Sequence, residues 1–353
     1  MTPKIRVNPP RPVSNPARGG ALSWRMRAHS CALIWLASVL LLVTPWAIAY
    51  ELPGLNLGYT SFLDGLPPAG PRWLIQQYVQ VYRNGRLKGP NGEDLRLPVM
   101  RGDSVELEKA QLDLTVILTQ LMFQYYRPER PSVLGGKWGL GLTLPLTSLQ
   151  LDPGDHEIIT CNGSLLSDIV ISPFVQIDPI KGANGLKVFQ RIEFQLVLPT
   201  GDYDPGESVN PGANVFSFHP FWAGTAFLPS KWTISWRLLY LWNAENSEPK
   251  IILDADDSQA GQAIYLNFAG AYELLPSRLR VGINGYALKQ ITDNRVDGGD
   301  IASGRERIFG LGPGLVYHGS KQDHFFFNSY WEMGAENRTE GTRVTLRYVH
   351  LFN

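Results

Sequence analysis

The stretch Lys231-Trp232-Thr233-Ile234-Ser235-Trp236-Arg237-Leu238-Leu239-Tyr240-Leu241-Trp242 decides the fold, because its residues sort by parity. One parity is Trp232, Ile234, Trp236, Leu238, Tyr240 and Trp242, and the other begins Lys231, Thr233, Ser235 and Arg237. Period two is the spacing of a β-strand, whose successive side chains point to opposite faces. One face here is very apolar and the other largely polar.

The same alternation recurs on both sides of this stretch. Ile264, Leu266, Phe268, Tyr272 and Leu274 oppose Asn267 and Glu273, and Phe325, Phe327, Trp331 and Met333 oppose Asn328, Glu332 and Glu336. Val344, Leu346, Tyr348 and Phe352 oppose Arg343, Thr345 and Arg347. Extended over the chain, the pattern predicts about twelve strands, near 73–83, 109–126, 134–149, 166–179, 187–199, 213–228, 231–242, 261–275, 278–290, 305–318, 323–336 and 341–352. The connections alternate long and short, except that 337–340 is short where a long one is due.

A large sandwich or a pair of smaller all-β domains would fit the strands but not the alternation of the loops. A transmembrane antiparallel up-and-down β-barrel accounts for both. Lipid takes the apolar face, the lumen takes the polar face, and short periplasmic turns alternate with long external loops. Closure also pairs every backbone group that hydrocarbon cannot solvate. The all-β barrel is therefore the expected fold, with both termini on the periplasmic side.

Composition agrees with this reading. The chain has 353 residues, 18% of them charged, with 10 Trp, 14 Tyr and 15 Phe, which excludes a disordered chain, a disulfide scaffold and a basic nucleic-acid binder. The balance of 32 basic and 32 acidic groups conceals two unlike parts. Residues 1–49 hold six basic residues and no acid, then an apolar run from Cys31 to Val43 and the small residues Ala47 and Ala49. That is the layout of a signal peptide cut between Ala49 and Tyr50. Its n-region is long, which suggests Met26 as the true start. Residues 50–353 form the expected barrel. Cys161 is the only cysteine after such a cut, so no internal disulfide is expected.

Candidate functional residues are the polar ones at mid-strand on the inward parity: Arg191, Glu193, Arg237, Asn267, Glu273, Asn284, Asn328, Glu332 and Arg347. They either line an open lumen or fill it with mutual ion pairs and hydrogen bonds. Asp202, Tyr203 and Asp204 are candidates at the external mouth, with turn formation as the competing role. His156, His219, His318, His324 and His350 are dispersed, with no spacing that suggests a catalytic triad. The acidic runs Asp254, Asp256, Asp257 and Asp202, Asp204, Glu207 do not follow the twelve-residue calcium loop. No metal, cofactor or catalytic residue is expected.

Several stretches resemble one family. Ser61-Phe62-Leu63-Asp64-Gly65-Leu66-Pro67-Pro68-Ala69-Gly70, then Tyr78, Tyr82 and the turn Asn91-Gly92, look like the N-terminal part of the family named for the meta-pathway of phenol degradation. Pro199-Thr200-Gly201-Asp202-Tyr203-Asp204-Pro205 with Asn210, Gly212 and Asn214 is similar to its most recognisable loop. Tyr286, Gln290, Thr292 and Asp293, Gly310-Leu311-Gly312-Pro313, and Glu336-Asn337-Arg338 with Gly341 continue the likeness over most of 58–353. Pro71-Arg72 and the region 101–110 depart from it.

The resemblance implies an outer-membrane channel or transporter for small apolar or aromatic organic compounds, tied to aromatic catabolism. Outer-membrane lipid and such a solute are the expected partners. The C-terminal strand, with outward aromatics ending at Phe352, resembles the signal read by the barrel-assembly machinery, although Asn353 follows it. Two other readings stand beside the channel: a non-transporting structural or surface-interaction barrel, and a barrel-embedded lipid hydrolase.

Overall fold

The structure, a computed structural model, describes residues 52–53, 56–67, 72–102, 104–127, 129–133, 135–156 and 159–352. The leader, Cys31 and the cleavage position lie outside these residues. In chain order the strands are β1 (Arg72–Leu87), β2 (Arg96–Arg101), β3 (Ser104–Lys109), β4 (Gln111–Tyr126), β5 (Gly136–Asp152) and β6 (Val170–Lys181). There follow β7 (Lys187–Val197), β8 (Ser217–Phe227), β9 (Trp232–Asn243), β10 (Ser258–Gln259), β11 (Ala263–Leu275) and β12 (Leu279–Gln290). The last are β13 (Asn294–Val296), β14 (Gly299–Ile301), β15 (Arg307–His318), β16 (Asp323–Glu336) and β17 (Thr339–Leu351).

Twelve of them close into one antiparallel barrel in the order β1-β17-β16-β15-β12-β11-β9-β8-β7-β6-β5-β4. β1 pairs with both β4 and β17, so the sheet has no free edge and the sandwich reading falls away. The barrel strands coincide with the twelve predicted segments to within a few residues. The structure adds a β2–β3 hairpin within the first long connection and a small β10-β13-β14 sheet on the external side.

Burial of β9 shows why a closed barrel suits this sequence. Thr233, Ser235 and Arg237 are 2–8% exposed, whereas Trp232 and Ile234 are each 49% exposed. A water-soluble sheet would reverse this order; here the apolar face is the outside. Outward aromatics on neighbouring strands meet near the short-turn end: Trp73 with Phe123, Trp232 with Tyr272, and Phe325 with Tyr348, at centroid distances of 4.8–5.3 Å. Such a belt marks the lipid–water boundary.

The short connection after β16 also has a physical account. Asn337, at φ 52, turns the chain in little space. Its Nδ2 donates to the carbonyls of Ser303 and Arg305, and Arg338 Nη1 meets Glu306 Oε2 at 3.0 Å in a fully buried ion pair. Lys88 N–H donates to Arg338 O. Neighbouring loops therefore cover this turn, which needs no length of its own.

Candidate functional site: the barrel lumen

Inward side chains from around the barrel converge on one object, the segment 56–65. Asn267 on β11 accepts from Gly58 N–H through Oδ1 at 3.2 Å and donates through Nδ2 to Asn56 O at 2.7 Å. Asn328 on β16 accepts from Ser61 Oγ at 2.9 Å, and Tyr330 OH donates to Gly58 O at 2.9 Å. From β17, Arg343 Nη1 donates to Leu57 O at 3.3 Å. From β9, Ser235 Oγ accepts from Leu63 N–H at 3.0 Å, and from β8, Thr225 Oγ1 accepts from Gly65 N–H at 3.0 Å. Gln176 on β6 donates to Gly65 O at 3.2 Å. Tyr59 OH also donates to Gln80 Oε1 on β1 at 3.2 Å. A segment bonded to seven strands of a closed barrel lies inside it.

Charge and apolar packing hold the same segment. Asp64 and Arg237 form a two-toothed pair, with Nε–Oδ2 at 2.6 Å and Nη2–Oδ1 at 2.7 Å. This geometry gives each carboxylate oxygen its own donor and suits a site shut off from water. Leu52 and Leu57 enter a buried cluster with Phe221, Leu239, Leu241, Tyr265, Tyr286, Leu288, Ile308 and Tyr330 in the external half. Phe62 packs with Ala269, Ala271 and Val316. Gly58 has φ +72, and a Cβ there would stand 2.6 Å from the Tyr330 ring. At Gly65 a Cβ would stand 2.5 Å from the backbone of Gly224. Only glycine lets the segment press so closely on the wall.

The nine mid-strand candidates take several roles. Eight of them (Arg191, Glu193, Arg237, Asn267, Asn284, Asn328, Glu332 and Arg347) are buried in the lumen. Glu273 is partly buried and pairs across strands with Arg280 at 2.9 Å. Arg191 and Glu193 meet at 3.2 Å. Glu332 accepts from Tyr82 and Tyr286 hydroxyls at 2.7 and 2.5 Å, and from Arg343 at 3.1 Å. Asn284 donates to Ser329 O at 3.3 Å. Guanidinium groups lie over aromatic rings: Arg191 over Phe174 at 4.4 Å, Arg237 over Phe221 at 4.0 Å, and Arg347 over Phe326 at 3.6 Å. The lumen wall is thus a mosaic of rings and fixed cations.

Sequence reasoning missed the occupant itself, together with Gln176, Thr225, Ser235, Tyr330 and Arg343 that grip it. A signal was present: Asn328, Thr225 and Ser235 are small inward polar groups with no charged residue directly opposite them on a neighbouring strand.

The loop candidates tie one loop to another, and Asp204 also braces its own turn. Asp202 Oδ2 accepts from Leu166 N–H at 3.1 Å, Asp204 Oδ1 accepts from Gly206 N–H at 2.8 Å, and Tyr203 OH accepts from Asn246 Nδ2 at 3.4 Å. Asp168 ties the loop down, with Oδ1 accepting from Thr200 and Gly201 N–H and Oδ2 from Ala213 N–H. Burial pushes this carboxyl up from its ordinary range, against the opposite pull of the three backbone donors.

The histidines are less dispersed than their numbering suggests. His318 and His324 face each other across a short turn, with Nδ1 atoms 2.9 Å apart, and His350 Nδ1 lies 2.8 Å from Asp323 Oδ1. Ser320 Oγ donates to the same carboxylate, not to an imidazole, so these groups lack the serine–base contact of a triad. Among the described residues no three His, Cys, Asp or Glu side chains are gathered to hold a metal ion.

No curated protein matches the sequence. An outer membrane channel from Pseudomonas putida F1 has a similar fold, with TM-score 0.63 at 14% identity, covering 86% of this chain and 100% of that one. The β domain of the Bordetella autotransporter BrkA gives 0.39 at 12% identity over 80% of this chain and 100% of its own. The CymD monoaromatic hydrocarbon channel gives 0.39 at 8% identity over 80% and 89%. Likeness at the level of the last two carries no argument. The model of the family described as "Putative MetA-pathway of phenol degradation" matches residues 101–348, a span that takes in the stretch 101–110. With that match over most of the chain and a closed barrel whose apolar face is outside, the chain is an outer-membrane β-barrel and belongs to this family.

Proposed function

We propose that the chain is a passive outer-membrane channel for small apolar or aromatic organic compounds, shut by its own segment 52–66. One observation carries the reading: the wall around the segment pairs guanidinium groups with aromatic rings, as in Arg191 over Phe174 and Arg237 over Phe221. Rings offer stacking and apolar contact to a solute such as a phenol, and the fixed cations attract its oxygen. Transport needs no chemistry from the protein, and the reading assigns it none. Export by a leader cut between Ala49 and Tyr50, and insertion by the barrel-assembly machinery, belong to the same reading.

The segment is held by hydrogen bonds, one ion pair and apolar packing, none of them covalent, so its withdrawal opens a path along the same wall. Asp202, Tyr203 and Asp204 then stand beside the external mouth as contacts for arriving solute. The close packing of Gly58 and Gly65 on the wall favours a second reading, a permanently shut structural barrel. Proteoliposomes loaded with a phenol-sensing dye decide between them. The channel reading expects phenol uptake above that of protein-free vesicles, and a further increase when residues 52–66 are deleted. Uptake no faster than in protein-free vesicles in both cases defeats it.

A further inference from the structure

The outward wall carries a groove of about 630 Å³ over β11, β12, β15 and β16, bordered by Ile264, Ala287, Phe309 and Met333 and by the cations Lys289 and Arg307. The groove has a local cause. Arg307 pairs with Glu336 but Phe309 with Met333, so β16 holds one residue more than β15 opposite it. The extra residue bulges at Gly334, with φ +67, and leaves both Met333 and Gly334 exposed. A bulge turns side chains away from their regular positions. A Cβ on Gly334 would meet nothing within 4 Å, so the space beside it is open. Ala287, small and outward, forms the floor.

Lys289 and Arg307 are directly paired across β12 and β15 at the long-loop end of those strands. Among the described residues the only carboxylate paired with either is Glu336, whose Oε1 lies 2.5 Å from Arg307 Nη2. Lys289 is exposed and leaves the rim of the groove net positive. A cation facing lipid is costly at the bilayer midplane and far less so at the interface, where phosphate groups lie. Basic pockets on membrane proteins bind lipid head groups by this pairing. An apolar trough running into two cations therefore has the shape and charge of an acyl chain joined to a phosphate.

We propose that this groove seats one phosphate-bearing acyl lipid of the external leaflet, a lipid A type glycolipid. Its acyl chain lies over Ala287 between Ile264 and Phe309, and its phosphate meets Lys289 and Arg307. The site rests on the outer-membrane placement and is independent of what passes through the lumen.

Native mass spectrometry of the purified full chain, titrated with bisphosphorylated lipid A, tests it. The expected result is one saturable adduct. Lys289→Glu should weaken it at least tenfold, and so should Ala287→Trp, which fills the floor; Ala287→Leu replaces the latter if the Trp variant does not fold. Lys321→Glu, in a periplasmic turn, should leave binding unchanged. The same lipid stripped of phosphate should bind at least tenfold more weakly, and inorganic phosphate alone should give no adduct. Wild-type affinity in a folded Lys289→Glu variant, or equal binding of the dephosphorylated lipid, overturns the proposal. Each variant's folding is checked separately by the change in gel mobility on heating.

Discussion

The inner segment and the β2–β3 hairpin both lie off the barrel wall, and they are held in opposite ways. Segment 56–65 lies inside, gripped by wall side chains from seven strands, with Leu57 and Phe62 buried. The β2–β3 hairpin lies outside, with Leu97 and Val99 buried but Met100 and Leu107 half-exposed. Its ion pairs, Arg101 with Glu108 and Asp155 at 2.8 and 2.7 Å, are formed between well-exposed groups. Short distances occur in both places, but water competes for the hairpin's charges and not for the Asp64–Arg237 pair. Polar contacts therefore count for more inside this barrel than outside it, which is the reverse of where polar residues usually sit.

The sharpest way to break this comparison is Asp64→Ala. It leaves the Arg237 guanidinium shut in the lumen without its carboxylate, a loss of about 3–5 kcal/mol for a buried pair. In planar bilayers the expected outcome is a marked rise in open-state conductance; an unchanged record would mean that the pair does not hold the segment. Gly58→Ala is next, placing a Cβ against the Tyr330 ring at a positive φ. Strain of this kind costs about 1–3 kcal/mol, and amide exchange of residues 57–63 should speed up while the barrel strands stay protected.

Smaller effects are expected in the loops. Asp168→Asn cannot offer two carboxylate oxygens to Thr200, Gly201 and Ala213, so at least one bond is lost, worth about 1 kcal/mol. Faster exchange at Ala213 or Gly201 checks it. The smallest effect concerns pH at the base of the hairpin. Hydrogen bonds from Lys109 and Lys88 hold Asp94 below the usual carboxylate range. A depressed carboxyl contributes stability that is fully present above its unfolded pKa, about 3.9, and is lost as pH falls through the folded value. Hairpin amides should therefore lose protection only below about pH 4, while segment 56–65 keeps its own.

Strand positions, barrel closure and the polarity of each face were legible because period two is a local pattern. The reading of β9 from Trp232 and Ser235 needs no knowledge of any other strand. The lumen's contents were not legible in this way. Mutual pairing of inward residues holds for Arg191 with Glu193 and Glu273 with Arg280, which are close in sequence or adjacent in register. Arg237, by contrast, faces Asn267 across the ladder and takes its carboxylate from Asp64, 173 residues away. Segment 56–65 has no periodicity to show that it packs against anything. The groove beside Gly334 was hidden for a related reason, since a bulge is set by the register of two strands and not by either strand alone.

The inner segment precedes β1 in the chain, and β1 and β17 close the ring. Apart from Tyr59 with Gln80, its hydrogen bonds to the wall join residues 111 to 286 apart in the chain. Contacts so distant in sequence form late, because the ordering of the intervening chain must come first. The grip on the segment is therefore complete only once β17 has met β1 and Thr225, Ser235, Asn267 and Asn328 stand around one axis.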